Sequence, residues 1–276
     1  MSAWPERLLG APGRLLGRVG QPVGGALRHV SGMWHLLVAS IYYSTVAPLT
    51  GRSKLREQLA PALRNVGVRS LPIIVLVNLL TGAILVLQTG DVMAKFGQLQ
   101  EVPGMVALSM VRELGPLMTA IVMTARIGAS FTAVLAAMRL NDEILALETM
   151  AIHPAGYLLA PRLLSMLVMV PCLTVLSYAL GMVGGAVVAS GAYDLSLAFY
   201  AENSFRYLDF ADLASGLLKA VVFSVLISTV CCYYGVIAAG GPTGLGRYTM
   251  VAVVTSLVAV VVADAVLTAF AVSYMY

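Results

Sequence analysis

Charge is what this sequence has least of. Only 11% of its 276 residues are Asp, Glu, Lys or Arg, against about 25% in soluble domains. That shortage excludes an ordinary water-soluble fold. Histidine is scarcer still, with His29, His35 and His153 alone. There is no H-E-x-x-H, no G-x-S-x-G and no evident pair of carboxylates poised for acid–base work, so catalysis has little support. Cys172, Cys231 and Cys232 fall in apolar runs without C-x-x-C spacing. They read as small buried hydrophobes, not as a metal site or a bridge.

What is present is apolar: 59% of the chain is hydrophobic and the mean hydropathy is +0.90. A hydrocarbon core about 30 Å thick takes roughly 20 residues per helix. The length therefore allows five or six spans and almost no soluble domain, so any energy-converting module must sit on another polypeptide. The net charge of +4 is uneven, with nine of the 17 basic residues before Leu71 against two acids, Glu6 and Glu57. In a membrane protein this points to the cytoplasmic side and anionic headgroups, and away from nucleic acid.

The expected fold is an all-α integral membrane protein: N-terminal interfacial helices, then five transmembrane helices, N-terminus in and C-terminus out. Residues 1–56 form the basic and interfacial region, with Arg-Leu-Leu-Gly repeated at 7–10 and 14–17 and no secretory signal pattern. Residues 32–49 are flanked by basic clusters on both sides, and crossing would strand one cluster outside. They are expected to lie at the interface. Residues 57–276 carry spans at approximately 70–90, 104–138, 163–193, 220–246 and 248–276. Outer loops are expected at 91–103 and 194–219, kinks at Pro116 and Pro171, and a turn at GGPTGLG, 240–246. On this layout the inner segments hold 12 Lys and Arg and the outer loops three, Lys95, Arg206 and Lys219, which supports the orientation.

The stretch from Val111 to Pro154 holds the most information. Arg112 and Glu113 stand about 12–14 Å down the second span, where ionisable groups usually face a cavity or a partner. A structural salt bridge remains open beside a functional role. Arg126 is expected to snorkel to the inner headgroups, and Asp264 to cap or pair. Ala125, Ala129, Ala133 and Ala137 form a small-residue ladder, repeated by Gly181 and Gly185, which implies close helix packing. In LNDEILALETMAIHP, 140–154, Asn141 reads as an N-cap and Pro154 as a stop, giving an exposed helix that is either a motor contact or a connector. GGPTGLGRY lacks the Lys-Ser/Thr ending of a phosphate loop, so no nucleotide site is expected here.

The run RELGPLMTAIVMTARIGASFTAVLAAMRLNDEILALETMAIHP resembles the signature of MlaE-type (YrbE-like) permeases, membrane subunits of MCE-associated lipid ABC transporters. LRNVGVRSLPIIVLVNLLTGAILVLQ (63–88) and GPTGLGRYTMVAVVTSLVAVVVADAVLTAF (241–270) agree in order. The resemblance implies a multi-pass inner-membrane subunit that works as a dimer or with a related chain. Its implied partners are a cytoplasmic ABC ATPase, a periplasmic MCE-domain protein and a small STAS-type accessory protein. ATP and Mg would be bound by the ATPase, with no cofactor or metal on this chain. It implies a lipid cavity at Arg112, Glu113, Leu79, Leu80, Ile84, Leu87 and Gln88, and a coupling helix with Asp142, Glu143, Leu147, Glu148 and Met150. His153 stands where the family usually has Asp, and Thr149 where a hydrophobic residue is common. A lipid-modifying intramembrane enzyme and a purely structural scaffold are the competing readings. The cargo is expected to be phospholipid.

Overall fold

The computed structural model describes His29, residues 31–42 and residues 55–274. The Arg-Leu-Leu-Gly repeat and residues 43–49 of the 32–49 segment lie outside the described residues. Among those described there are helices and no strands. A first helix, α1, covers 31–42. Then follow α2 (Leu55–Val66) and α3 (Leu71–Lys95), joined by a single 3₁₀ turn at Val68–Ser70. Pro72 sits in the first turn of α3, where its missing N–H costs nothing. Five helical stretches are long and apolar enough to cross a membrane: Gln58–Lys95, Leu99–Leu140, Ala155–Tyr193, Phe210–Val236 and Gly241–Ser273.

The span count agrees with the sequence reading, but several boundaries move. Residues 91–103 are not a loop: α3 runs to Lys95, the chain reverses at Gly97 with φ 69°, and helix resumes at Leu99. Asp91 and Lys95 were poor guides, because a helix end at the interface tolerates charge. The second span is one helical rod of α4 (Val102–Ser109), α5 (Gly115–Met123) and α6 (Ala129–Leu140). π-turns at Met110–Leu114 and Thr124–Gly128 join its pieces. Pro116 stands two residues beyond Leu114, in the first turn of α5, and the π-turn before it relieves the position where proline has no N–H to give.

Asn141 does not cap the next helix. It ends α6, and Asp142, in the left-handed region at φ 57°, precedes α7 (Glu143–Thr149). Nor does Pro154 stop α7, which has ended five residues earlier. Pro154 instead opens the third span, a π-turn at Ala155–Leu159 leading into α8 (Ala160–Tyr193). Its fixed φ suits a helix start. α8 is continuous past Pro171.

The segment 194–219 splits between two helices. α9 (Leu197–Arg206) begins at an N-cap, Ser196, whose side chain accepts from the Phe199 N–H at 3.2 Å. α10 (Phe210–Val236) begins at a capping box in which Asp209 and Asp212 satisfy each other's backbone N–H groups. The span therefore starts ten residues before the expected Ala220. The expected turn at 240–246 is mostly helix too: α11 runs Gly241–Tyr274, and only Ile237–Gly240 connects it to α10.

Packing follows the small residues. A Cβ on Gly82 would lie 1.9 Å from the Gly181 carbonyl oxygen, and one on Gly184 would lie 2.0 Å from that of Leu79. Spans one and three thus touch backbone to backbone, as Gly181 foreshadowed. Gly185 faces Val86 and the Tyr200 ring instead. The alanine ladder is less central than expected, with Ala125 exposed and Ala129, Ala133 and Ala137 half-buried. Beside it, Gly128 meets the Cys231 sulfur and the Thr132 hydroxyl donates to the Cys231 carbonyl at 2.9 Å. Cys231 and Cys232 are buried, as expected, whereas Cys172 is exposed. The main core gathers Met123, Ile127, Leu135, Met166, Phe223 and Ile227.

Candidate functional site

Arg112 and Glu113 fall inside the first π-turn. Arg112 Nε donates to Asp212 Oδ1 at 2.7 Å, and the Asp212 side chain is fully buried. The same carboxylate's Oδ2 accepts the Asp209 N–H at 3.0 Å, so the residue that starts α10 also holds Arg112. Two turns along α10, Lys219 Nζ donates to Glu113 Oε2 at 2.6 Å and to Thr268 Oγ1 at 2.7 Å. It lies 3.0 Å from Asp264 Oδ1. Thr268 Oγ1 is in turn 3.0 Å from Glu113 Oε1 and 2.8 Å from the Asp264 carbonyl, one turn back on α11. Its single proton can serve either acceptor.

Spans two, four and five therefore meet at a polar knot within an apolar bundle. Lys219 is the sealed centre, with only 3% of its side chain exposed, whereas Arg112 and Glu113 are about a third exposed. Both open onto a cavity of about 260 Å³, whose wall also includes Ser109, Ser215 and Val272. Three acidic side chains, Asp212, Glu113 and Asp264, share two cations, Arg112 and Lys219. Such a cavity offers a charged rim and an apolar flank to an amphiphile.

Sequence reading located Arg112, Glu113 and the pairing of Asp264. It missed Asp212, Lys219 and Thr268. Placing the start of span four at Ala220 put Lys219 in a loop. The signal that could have found it is the seven-residue spacing of Asp212 and Lys219, which places acid and base two turns apart on one face. Arg126 does not simply snorkel: its guanidinium donates to the Ser70 hydroxyl, which itself donates to the Val66 carbonyl at 2.6 Å.

The span-one residues do not line this cavity within the chain. Leu79 is half-buried against α8, while Leu80, Ile84, Leu87 and Gln88 lie on the exposed side of α3. On α7, Ile144 is buried and Leu147 packs against the core, leaving Asp142, Glu143, Glu148 and Met150 exposed. Next to α7, Arg139, Glu148, His153 and Ile237 border a groove of about 900 Å³.

These features define a multi-pass helical membrane protein with a buried charged site between its spans. The chain belongs to the MlaE permease family, whose Permease MlaE model matches residues 59–270. It is 34% identical to a probable ABC transporter permease protein of Rickettsia prowazekii over 203 residues, 74% of this chain and 78% of the relative. It is 30% identical to a probable ABC transporter permease protein of Synechocystis over 241 residues, 86% and 91% of the two chains. It is also 31% identical to the intermembrane phospholipid transport system permease protein MlaE of Haemophilus influenzae, over 80% and 86%. Family membership makes it a transporter's membrane subunit, with ATP hydrolysis on a separate chain.

Proposed function

We propose that this chain is the permease subunit of an ATP-driven phospholipid transporter of the bacterial inner membrane. α1 and α7 lie at the cytoplasmic end, and the α9 end faces the periplasm. The cavity at Arg112 and Glu113 is the observation that carries the reading: charged side chains and an apolar wall together suit a phospholipid's headgroup and glycerol. The Haemophilus relative, an intermembrane phospholipid transport system permease, supports the cargo class. Leu80, Ile84, Leu87 and Gln88 face outward from α3, where a second permease copy would complete the lipid path. An ABC ATPase docks at α7, an MCE-domain protein receives lipid at the opposite end, and a small STAS-type protein accompanies the ATPase.

In this scheme ATP-driven closure of the ATPase pushes on α7, and the rod of the second span carries the motion to Arg112 and Glu113. Glu148 is exposed on α7, so Glu148→Lys changes the contact without disturbing the core. Ala146→Pro removes the Ala146 N–H bond to the Asp142 carbonyl, 2.9 Å long, and breaks the short helix itself. In proteoliposomes holding the whole complex, both variants are expected to lose lipid transfer by at least about tenfold, the loss of roughly 1.4 kcal/mol of coupling, while basal ATP hydrolysis persists. Wild-type lipid transfer by both variants would overturn the coupling role.

A further inference from the structure

A second polar cleft lies at the α7 end of the bundle, about 27 Å from Arg112 along the second span. Three helices contribute one face each: Ala62 and Asn65 from α2, Ser130 and Phe131 from α6, and Tyr157 and Arg162 from the head of span three. The cleft encloses about 340 Å³. Arg162 is the charge on its wall. Arg162 Nη1 donates to the Leu158 carbonyl at 2.6 Å, and its guanidinium carbon lies 5.7 Å from the centre of the Phe131 ring. Among the described residues the ion pairs involve Arg112 and Lys219 only, so Arg162 has no carboxylate.

That arrangement is unlike the knot at Lys219. There, every cation is matched by a protein carboxylate. Here a guanidinium with five donors spends one on a carbonyl while it lies half-buried where three helices meet. A planar fork resting on an aromatic face is pre-organised for a bidentate phosphate contact. Basic pockets between membrane helices are where phospholipid headgroups bind. Arg69, exposed in the 3₁₀ turn after α2, donates to Oδ1 of the cleft residue Asn65 at 3.4 Å and adds positive charge nearby.

We propose that this cleft binds the phosphate of a membrane phospholipid in the leaflet at the α7 end. Arg162 holds the phosphate, Asn65 and Tyr157 supply hydrogen bonds to its ester and glycerol oxygens, and the acyl chains leave over Val134, which is 46% exposed. Such a lipid pins α2 to spans two and three. The site is separate from the charged cavity and does not depend on what that cavity carries.

The test is native mass spectrometry of the delipidated full-length chain in its transporter complex. It is titrated separately with dioleoylphosphatidylglycerol, dioleoylglycerol and inorganic phosphate. Arg162→Gln is expected to weaken the tightest phosphatidylglycerol adduct by at least about tenfold, as loss of one charge-assisted hydrogen-bonded contact implies. Arg162→Lys keeps part of it, and dioleoylglycerol shows no dependence on residue 162. Ala62→Phe fills the cleft while leaving Arg162 in place, and is expected to remove the same adduct. It decides the matter if Arg162→Gln fails to fold. Unchanged phosphatidylglycerol binding by folded Arg162→Gln and Ala62→Phe overturns the proposal. So does an Arg162-dependent adduct of inorganic phosphate that the lipid does not displace, because the ligand is then a free anion.

Discussion

Among the ion pairs of the described residues, Lys219 alone serves two carboxylates, Glu113 and Asp264. Burying one ion pair gives little net stability, but removing one partner from it costs about 3–5 kcal/mol. Lys219→Met leaves Glu113 and Asp264 facing each other across the same gap. A large fall in the thermal midpoint of the detergent-solubilised protein is expected. Adding Glu113→Gln and Asp264→Asn neutralises both orphaned carboxylates and is expected to recover most of the loss. A triple variant no more stable than Lys219→Met would mean that the knot is not held by charge balance. The knot also explains why the site was only half legible in the sequence. Arg112 and Glu113 announce themselves as neighbours in an apolar run. Asp212 and Lys219 sit where a span meets a polar loop, so each passes for an ordinary solvent-facing charge until the helix start is known.

At the scale of elements, the glycines decide which helices may touch. Gly82→Ala drives a methyl group into the Gly181 carbonyl, which is backbone and cannot move aside, whereas Gly191 has open space around it. Gly82→Ala is expected to lower the thermal midpoint sharply or prevent accumulation. Gly191→Ala, on the same pair of spans, is expected to be neutral or stabilising by up to about 1 kcal/mol. Equal effects from the two would show that α3 and α8 do not pack at this contact. The α9 end is held by lighter ties: Asn203 Nδ2 donates to the Gln100 carbonyl at 2.6 Å, and the Tyr207 hydroxyl donates to Glu101. The hydrogen bond to Glu101, then burial, holds the Tyr207 phenol above its ordinary value. A raised folded pKa means that the unfolded segment loses its proton first. The tie is therefore intact below about pH 10 and weakens as pH rises beyond it. The protection factors of residues 197–209, which discount the base catalysis of exchange itself, are expected to fall above that pH in the native chain. Tyr207→Phe, lacking the tie at any pH, shows low protection throughout.

Across the whole molecule, the second span is the element that reaches both polar regions, from Leu99 beside α9 to Leu140 beside α7. Its apolar content, and hence the existence of a span, was plain from composition. Its register was not, because a π-turn adds a residue without changing the hydrophobic pattern that reveals a helix. One such turn, Thr124–Gly128, separates the α7 end from Arg112 and Glu113, which themselves lie in the other, and each one sets the rotation of everything before it. Ala125 is exposed within the Thr124–Gly128 turn, so its side chain makes no core contact. Deleting it is expected to convert the π-turn to ordinary α-helix and rotate the preceding half by about 100°, one residue's worth of twist. Glu113 then faces away from Lys219, and Arg112 away from Asp212. The deletion is expected to destabilise the protein as severely as Lys219→Met and to abolish lipid transfer, whereas Ala125→Leu, which keeps the register, is expected to do neither. Distances between spin labels on α4 and α10 report the rotation directly. Unchanged distances in the deletion variant would show that the bundle, not the π-turn, fixes where Arg112 and Glu113 point.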